Sequence, residues 1–296
     1  MSGGCFDGAM TMAMGNRRAH EEVSYRRDGA LEGAALATAR YGAHEFERHV
    51  HDELVIVMTE FGSGQCRTRA GSDVSGPGTV WVFAPGEYHC GEVWDEKAWH
   101  YRAIYLDIQG LAALSAVFND ESRADRLLHI PPGLYRDEQL CALLLKAHAS
   151  LDDNASTPLM ERQAHWWAAM GMLFGRYGQP KPVADNSGRE REKMARVKDY
   201  LAAQYQRDIP IDELAKLVGL SRYHFMRVFR KEYGLPPHAY VSQLRLIAAK
   251  QLLAAGRSAA DAAVSAGFYD QSHLNRVFKK AYGVTPGVYA ALRPAF

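Results

Sequence analysis

The chain has 296 residues, of which 47% are apolar and 23% charged, and a net charge of +1. That length gives room for two domains with separate cores, and that balance excludes an intrinsically disordered chain. Four scattered cysteines without C-x-x-C spacing argue against a disulfide framework, and no apolar run reaches membrane-spanning length.

Charge divides the chain before any motif does. Residues 191–296 hold 17 Lys+Arg against 8 Asp+Glu, a net +9, and the remaining 18 and 26 give residues 1–190 a net −8. A basic C-terminal third on an acidic remainder suits a polyanion-binding module joined to a domain of another kind. Residues 1–14 lack the basic start and apolar core of a secretory signal, so a cytoplasmic location without membrane association is expected.

Residues 1–30 mix Gly, Met, Arg and Glu without a period and are expected to form a flexible tail, with Met14 an alternative start. Over residues 31–110 the pattern changes to short runs of Val, Ile, Trp and Phe, such as 54–58, 79–83 and 99–106. Gly62, Gly64, Gly76, Pro77 and Gly78 stand at the turns between them. This spacing predicts an antiparallel sandwich or small barrel. Residues 111–178 turn helical, with helices over 137–150 and 158–177, the second capped by Thr157. Trp166, Trp167, Met170, Leu173 and Phe174 make that helix apolar enough to serve the core and also a homodimer seam. Residues 179–190, rich in Pro and polar residues, predict a linker.

The remaining residues, 191–296, contain a repeat. Ala215 and Gly219 match Ala263 and Gly267, and one residue later in the second copy the series continues. It runs from Ser221, His224, Arg227, Phe229, Gly234 and Pro237 to Asp270, His273, Arg276, Phe278, Gly283 and Pro286. Ser221 and Asp270 are positioned to cap a helix of about a dozen residues in each copy, and Gly234 and Gly283 to end it. In the second, Leu274 and Phe278 share one face while Gln271, Ser272, Asn275, Arg276 and Lys279 share another. Those polar side chains carry the donors and acceptors that read base edges and phosphates in a major groove.

The segment Ala215-x3-Gly-Leu-Ser-x3-Phe-x-Arg-x-Phe-x3-Tyr-Gly, followed by Ala263-x3-Gly-Phe-x-Asp-Gln-Ser-His-Leu-x-Arg-x-Phe-Lys-Lys-x-Tyr-Gly-Val-Thr-Pro, resembles the DNA-binding domain of the AraC/XylS family of transcription regulators. The resemblance implies seven helices with two helix-turn-helix units, the third and sixth helices entering double-stranded DNA. It also implies activation through RNA polymerase, and a homodimer. On that pattern the first reader presents Arg222, Tyr223, Met226, Arg227 and Arg230, and the second Gln271, Ser272, His273, Asn275, Arg276 and Lys279. Arg227 and Arg276 suit bidentate contact to guanine, or alternatively structural ion pairs. Lys231, Lys279 and Lys280 suit phosphates.

In the N-terminal part, His49-x-His51-x-Glu53 precedes one apolar strand and Pro85-Gly-x-x-His89 follows another, a pattern that resembles the cupin barrel. The fold expected is therefore α+β in two domains: a cupin-like barrel with appended helices, then an all-α DNA-binding domain. His49, His51, Glu53 and His89, with Trp81 and Tyr101, are expected to contact a small-molecule effector. No cofactor is required by this reading. The alternative use of His49, His51 and His89 is to hold a divalent metal, as a sensor or in a metal-dependent cupin enzyme, although the carboxylate usual in that site is replaced by Val55 or Ile56. No Walker loop, dinucleotide fingerprint, G-x-S-x-G or H-E-x-x-H occurs, so a non-enzymatic regulator is expected.

Overall fold

Strands buried on both faces form the centre of the N-terminal domain, three of them side by side. In the computed structural model, which describes residues 22–27, 31, 33–94, 98–118, 128–152, 156–180 and 188–291, these are β2 (Ala34–Tyr41), β4 (Leu54–Gly62) and β9 (Trp99–Leu106). They lie inside a six-stranded antiparallel sheet, in the order β1-β2-β9-β4-β7-β11, whose other members are β1 (Glu22–Arg27), β7 (Thr79–Phe83) and β11 (Gly133–Arg136). Leu36, Ile56, Met58, Ile104 and Leu106 face one core, and Ala37, Val55, Val57, Ala103 and Tyr105 face another. Burial on both faces explains why β4 reads Leu-Val-Ile-Val-Met instead of alternating with polar residues.

The inner face packs against a second antiparallel sheet, β3-β8-β5-β6, made of β3 (Glu45–His49), β8 (His89–Val93), β5 (Gly64–Arg67) and β6 (Ser72–Ser75). Helices α1 (Ile108–Phe118), α2 (Glu138–Asp152) and α3 (Leu159–Tyr177) cover the outer face. Leu140, Leu144, Ala147, Trp166, Met170 and Leu173 complete that core. A short pair, β10 (Leu128–His129) with β12 (Gln179–Pro180), ties the end of α3 back to the segment before β11.

Among the described residues the basic third folds as seven helices: α4 (Arg189–Gln204), α5 (Ile211–Leu217), α6 (Arg222–Tyr233), α7 (Pro237–Ala254), α8 (Ala259–Ser265), α9 (Gln271–Tyr282) and α10 (Pro286–Ala291). The repeat is visible as equal lengths: α5 and α8 have 7 residues each, and α6 and α9 have 12 each. Ser221 and Asp270 cap α6 and α9 by accepting from the backbone N–H of His224 and His273, and Gly234 and Gly283 end them in the left-handed region. Each unit has its own core, one centred on Phe225 and Phe229, the other on Leu274 and Phe278.

Several expected boundaries move. Residues 22–27, assigned to a flexible tail, form β1, paired with β2 along its whole length, while residues 1–21 and 28–30 lie outside the described residues. The helical segment expected over 111–178 begins at Ile108 and contains β11, which completes the large sheet beside β7. The expected linker 179–190 includes β12 and the first turn of α4, and residues 181–187 lie outside the described residues. Thr157 does not cap α3; Pro158 occupies that position, with no side-chain hydrogen bond. Residues 292–296 lie outside the described residues.

The two domains meet through the C-terminal ends of α6 and α9. A Cβ on Gly234 would fall 1.7 Å from the Tyr88 ring, and one on Gly283 would fall 2.1 Å from the Tyr41 hydroxyl. Gly219, also left-handed, has nothing within 4 Å of such a Cβ. Gly219→Ala should therefore show only the left-handed penalty, roughly 1–2 kcal/mol. Gly283→Ala should cost more, because it also pushes on Tyr41. Urea unfolding of both variants measures the difference.

Candidate functional site

The groove-reading faces are formed as the helix period demands. On α9, Leu274 and Phe278 are buried, while Gln271, Ser272, Arg276 and Lys279 are exposed and Asn275 and His273 are half-buried. The His273 ring packs edge-on against Phe268, 5.4 Å between centroids, so part of this side chain serves the turn rather than the face. On α6, Arg222, Tyr223, Arg227 and Arg230 are exposed, Tyr223 to 81%. Arg222 forms a two-pronged pair with Asp212 of α5, and His224 meets Glu190 of α4 at 3.1 Å. Met226 is half-buried against the core of its own unit. Among the described residues Arg227 and Arg276 close no ion pair, which leaves both guanidinium forks available to a base edge. Lys280 lies 2.6 Å from Glu47 of β3, so one expected phosphate contact is held by the barrel in this arrangement.

The second candidate site is inside the barrel. His49 ends β3, His89 opens β8 opposite it in register, and His51 stands two residues further, before β4. All three are buried, and one ligand atom from each lies within 4.8 Å of the others. The Nδ1 atoms of His49 and His89 meet the carbonyls of Glu47 (2.7 Å) and Glu87 (3.2 Å), which orients each Nε2 away from the chain. His51 Nδ1 is buried without a hydrogen-bond partner among the described residues. The rings pack at 4.5–5.2 Å, and Phe83 stacks on His89 at 3.9 Å.

Burial holds all three imidazoles neutral. It lowers His49 to about 4, with the Lys250 charge adding to the effect, and it lowers His51 and His89 well below the ordinary 6.5. Neutral imidazoles with oriented second nitrogens are the form in which histidines bind a divalent ion, so the donor set fits such a metal.

The cavity around these histidines has a volume of about 50 Å³. Phe46, Trp99, Tyr101 and Tyr105 form barrel walls, and Ala281 and Tyr282 from the end of α9 form the cap. Tyr282 is 5% exposed, its ring 5.7 Å from that of His51, and its carbonyl accepts from the Tyr25 hydroxyl of β1 at 3.0 Å. Two of the residues expected here lie elsewhere. Trp81 is buried in the inner core, stacked on Phe83, and Glu53 turns away to form a buried ion pair with Lys250 of α7. Glu53 is 8% and Lys250 7% exposed. Burial would lower the Lys250 ammonium, but the Glu53 charge outweighs it and raises it above the ordinary lysine range. The ammonium also lies 5.5 Å and 5.3 Å from the Tyr105 and Tyr282 ring centroids.

Sequence reasoning missed the cap. Tyr282 matches Tyr233 in the repeat, and Tyr233 packs within its own unit, so nothing local marks Tyr282 as part of a barrel site. Lys250 sits in a long helix whose pattern shows no single buried stripe.

A helical domain of two capped helix-turn-helix units behind a histidine-lined barrel defines a DNA-binding regulator with a ligand-binding domain. Residues 33–169 match the AraC-like ligand binding domain, and residues 214–291 the helix-turn-helix domain. The chain belongs to the AraC family of transcription regulators. Similar sequences include the uncharacterized HTH-type transcriptional regulator YbfI of Bacillus subtilis, 26% identical over 77% of this chain and 81% of the relative. The transcriptional activator RhaS of Salmonella arizonae is 24% identical over the same shares. Among solved structures, apo ToxT of Vibrio cholerae superposes with a TM-score of 0.54 at 14% identity, covering 88% of this chain and 98% of that one, a likeness of fold. Among the described residues no helix is long and apolar enough to cross a membrane.

The buried histidines make stability depend on pH. Besides the cavity three, His148 of α2 is fully buried, its Nδ1 accepts from the Arg102 guanidinium at 3.2 Å, and it is lowered to about 4 by burial and the Arg102 charge. Each folded-state value lies below the unfolded 6.5, so the unfolded chain takes up protons first as pH falls. Stability should be complete above about pH 6.5 and decline below it, by up to about 1.4 kcal/mol per pH unit for each group, with the His49 and His148 contributions falling down to about pH 4. Urea midpoints at pH 7.5, 6 and 5 check this, and a flat profile would contradict it.

Proposed function

We propose that this chain is a sequence-specific regulator whose DNA-reading domain is controlled by a small molecule entering the barrel cavity, and that it acts in the cytoplasm as a homodimer contacting RNA polymerase. The observation that carries the reading is the shared wall. The cavity that collects His49, His51 and His89 is lined on one side by Tyr282, the last residue of the helix that presents Arg276 and Lys279. Sites of drug-sized ligands run to roughly 300–1,000 Å³. At about 50 Å³ the capped cavity has room for a few waters, not an organic effector. Entry of an effector therefore withdraws Tyr282, and with it the end of α9. A ligand that binds only the uncapped form shifts the equilibrium towards it, so occupancy of the barrel is translated into placement of the second reader. The aromatic walls favour an effector with an apolar or aromatic body and one polar group directed at the histidines. ToxT, which shares the fold, has been crystallised bound to an unsaturated fatty acid, and such acids belong in an effector screen. The homodimer seam is placed on α3, where Met160 and Trp167 are exposed beside the buried Trp166.

On the DNA side, Arg276→Ala should lose discrimination at one base position, about 1–3 kcal/mol between matched and mismatched duplexes. Lys279→Ala should weaken binding to all duplexes alike and reduce the salt slope by about 1. Electrophoretic titrations at several salt concentrations separate the two, and equal behaviour of both variants would sink the assignment. On the effector side, Tyr282→Ala should increase the thermal shift that a ligand produces in the full chain, because the cap no longer competes for the cavity.

A second reading is favoured by the orientation of the imidazoles. His49, His51 and His89 would hold a divalent metal, which would supply a Lewis-acidic point inside the barrel for an anionic effector. Cobalt(II) titration tests it. Ligand-field absorption that disappears in His89→Ala supports the metal, and its absence from the parent chain leaves the histidines to hydrogen-bond the effector directly.

A further inference from the structure

The N-terminal domain meets the ends of the two readers with opposite charges. At α6, Arg69 of the β5–β6 turn donates to the Glu232 carbonyl at 2.9 Å. At α9, Glu47 of β3 takes the Lys280 ammonium at 2.6 Å. Lys231 and Lys280 occupy the same position of the repeat, each three residues before the Gly that ends its helix. Among the described residues Lys231 is exposed and closes no ion pair. The N-terminal domain therefore brings a cation to the first copy and a carboxylate to the second.

A break in β3 places that carboxylate. β3 pairs with β8 at Phe46 and again at His49, and its register shifts between the two. Glu47 and Arg48 are consecutive exposed residues between the buried Phe46 and His49, where a regular strand would turn one of them inward. The same irregularity thus turns His49 into the cavity and Glu47 out towards α9, and the Glu47 carbonyl accepts from His49 Nδ1 at 2.7 Å. The end of α9 is held against β3 independently of the ion pair. The Tyr25 hydroxyl donates to the Tyr282 carbonyl at 3.0 Å, and Gly283 passes close to Tyr41. On α9, Lys280 lies one turn after Arg276 on the same side of the helix, where a lysine beside a groove-reading arginine is placed for the phosphate backbone.

We propose that Glu47 stands in for a DNA phosphate at Lys280, so that the docked barrel withholds one backbone contact from the second reader and leaves the first reader complete. Both side chains of the pair are largely exposed, 60% for Lys280 and 64% for Glu47. An exposed pair is weak and open to water and salt, so a polyanion competes with it instead of being shut out. The contact acts as a graded brake on affinity and carries no base preference of its own. An effector that withdraws the end of α9 also withdraws Lys280 from Glu47. That consequence rests on the effector reading above, and the consequence for DNA rests on the reader assignment. The competition for the ammonium rests on neither.

The test compares variants of the full chain by salt elution from heparin, a polyanion without bases, and by electrophoretic titration of duplexes at several salt concentrations. Glu47→Gln should elute later and bind every duplex about two- to fivefold tighter at low salt, with a salt slope steeper by about one. Lys280→Gln breaks the same pair without freeing a lysine, so by itself it should not tighten binding. In the double variant the gain from Glu47→Gln should vanish. Lys231→Gln should weaken binding by the same factor whether residue 47 is Glu or Gln. Asp73→Asn removes an equal charge from β6, at the opposite edge of the sheet that contains β3, and should give none of the gain. No gain in Glu47→Gln, an equal gain in Asp73→Asn, or a gain that persists without Lys280 overturns the proposal. Tighter binding by Lys280→Gln also overturns it, since loosened docking would then be the cause. A chain that shows the expected order on heparin but retains no duplex refutes the DNA reading alone.

Discussion

The Lys250–Glu53 pair is the interaction on which the arrangement of the two domains rests. Each partner is more than nine-tenths buried, one on the helix that connects the two helix-turn-helix units, the other on the turn that leads from His51 into β4. Removing one partner of such a pair leaves an uncompensated buried charge, at a cost of roughly 3–5 kcal/mol. Separating the domains would instead return both charges to water, so the pair fixes how the domains fit together more than it supplies the energy of docking. Around it the seam is completed by Gln243, which accepts from the Val50 backbone at 3.2 Å, by Tyr25 beneath Tyr282, and by Glu47 against Lys280. These contacts reach the connecting helix and the end of α9, while Arg227 and Arg276 stay exposed.

Tyr282 shows how the two domains come to share a residue. It belongs to the core of the second helix-turn-helix unit with Leu274 and Phe278, and also to the wall of the barrel cavity. Val23 and Tyr25 of β1 pack against that same core, so the hydrophobic cluster of the second unit is continuous with the N-terminal domain. The first unit keeps its core to itself and meets the N-terminal domain at the end of α6, where Gly234 approaches Tyr88 and the Glu232 carbonyl accepts from Arg69 at 2.9 Å. The duplicated units are therefore equal in helix lengths and unequal in what the barrel demands of them. Their faces differ as well, with a half-buried Met226 and an exposed Tyr223 in the first and Gln271, Ser272 and Asn275 in the second. Unequal faces should read unequal base sequences.

The reading order of this chain follows from which interactions are local. Caps, left-handed glycines and the three-to-four-residue spacing of Phe225, Phe229, Leu274 and Phe278 act within a few residues, so α6, α9 and their repeat were legible without coordinates. The doubly buried β4 and β7 were legible for the same reason, as unbroken apolar runs. β1 was not, because Glu-Val-Ser-Tyr-Arg-Arg carries little apolar signal and is ordered by pairing with β2. The histidines were legible as a group from their flanking motifs, but Trp81 and Glu53 were assigned to the wrong place, since strand alternation does not say how far a side chain reaches across a barrel.

By itself, the sequence determined two regions of opposite charge, a duplicated helix-turn-helix, and a strand-rich domain carrying three related histidines. These follow from composition and from contacts between near neighbours in the chain. Only the tertiary structure decided that α9 ends against the barrel, that Tyr282 lines the histidine cavity of about 50 Å³, and that Glu53 serves Lys250 instead of that cavity. Those contacts join residues some two hundred positions apart, across surfaces whose match no local period encodes.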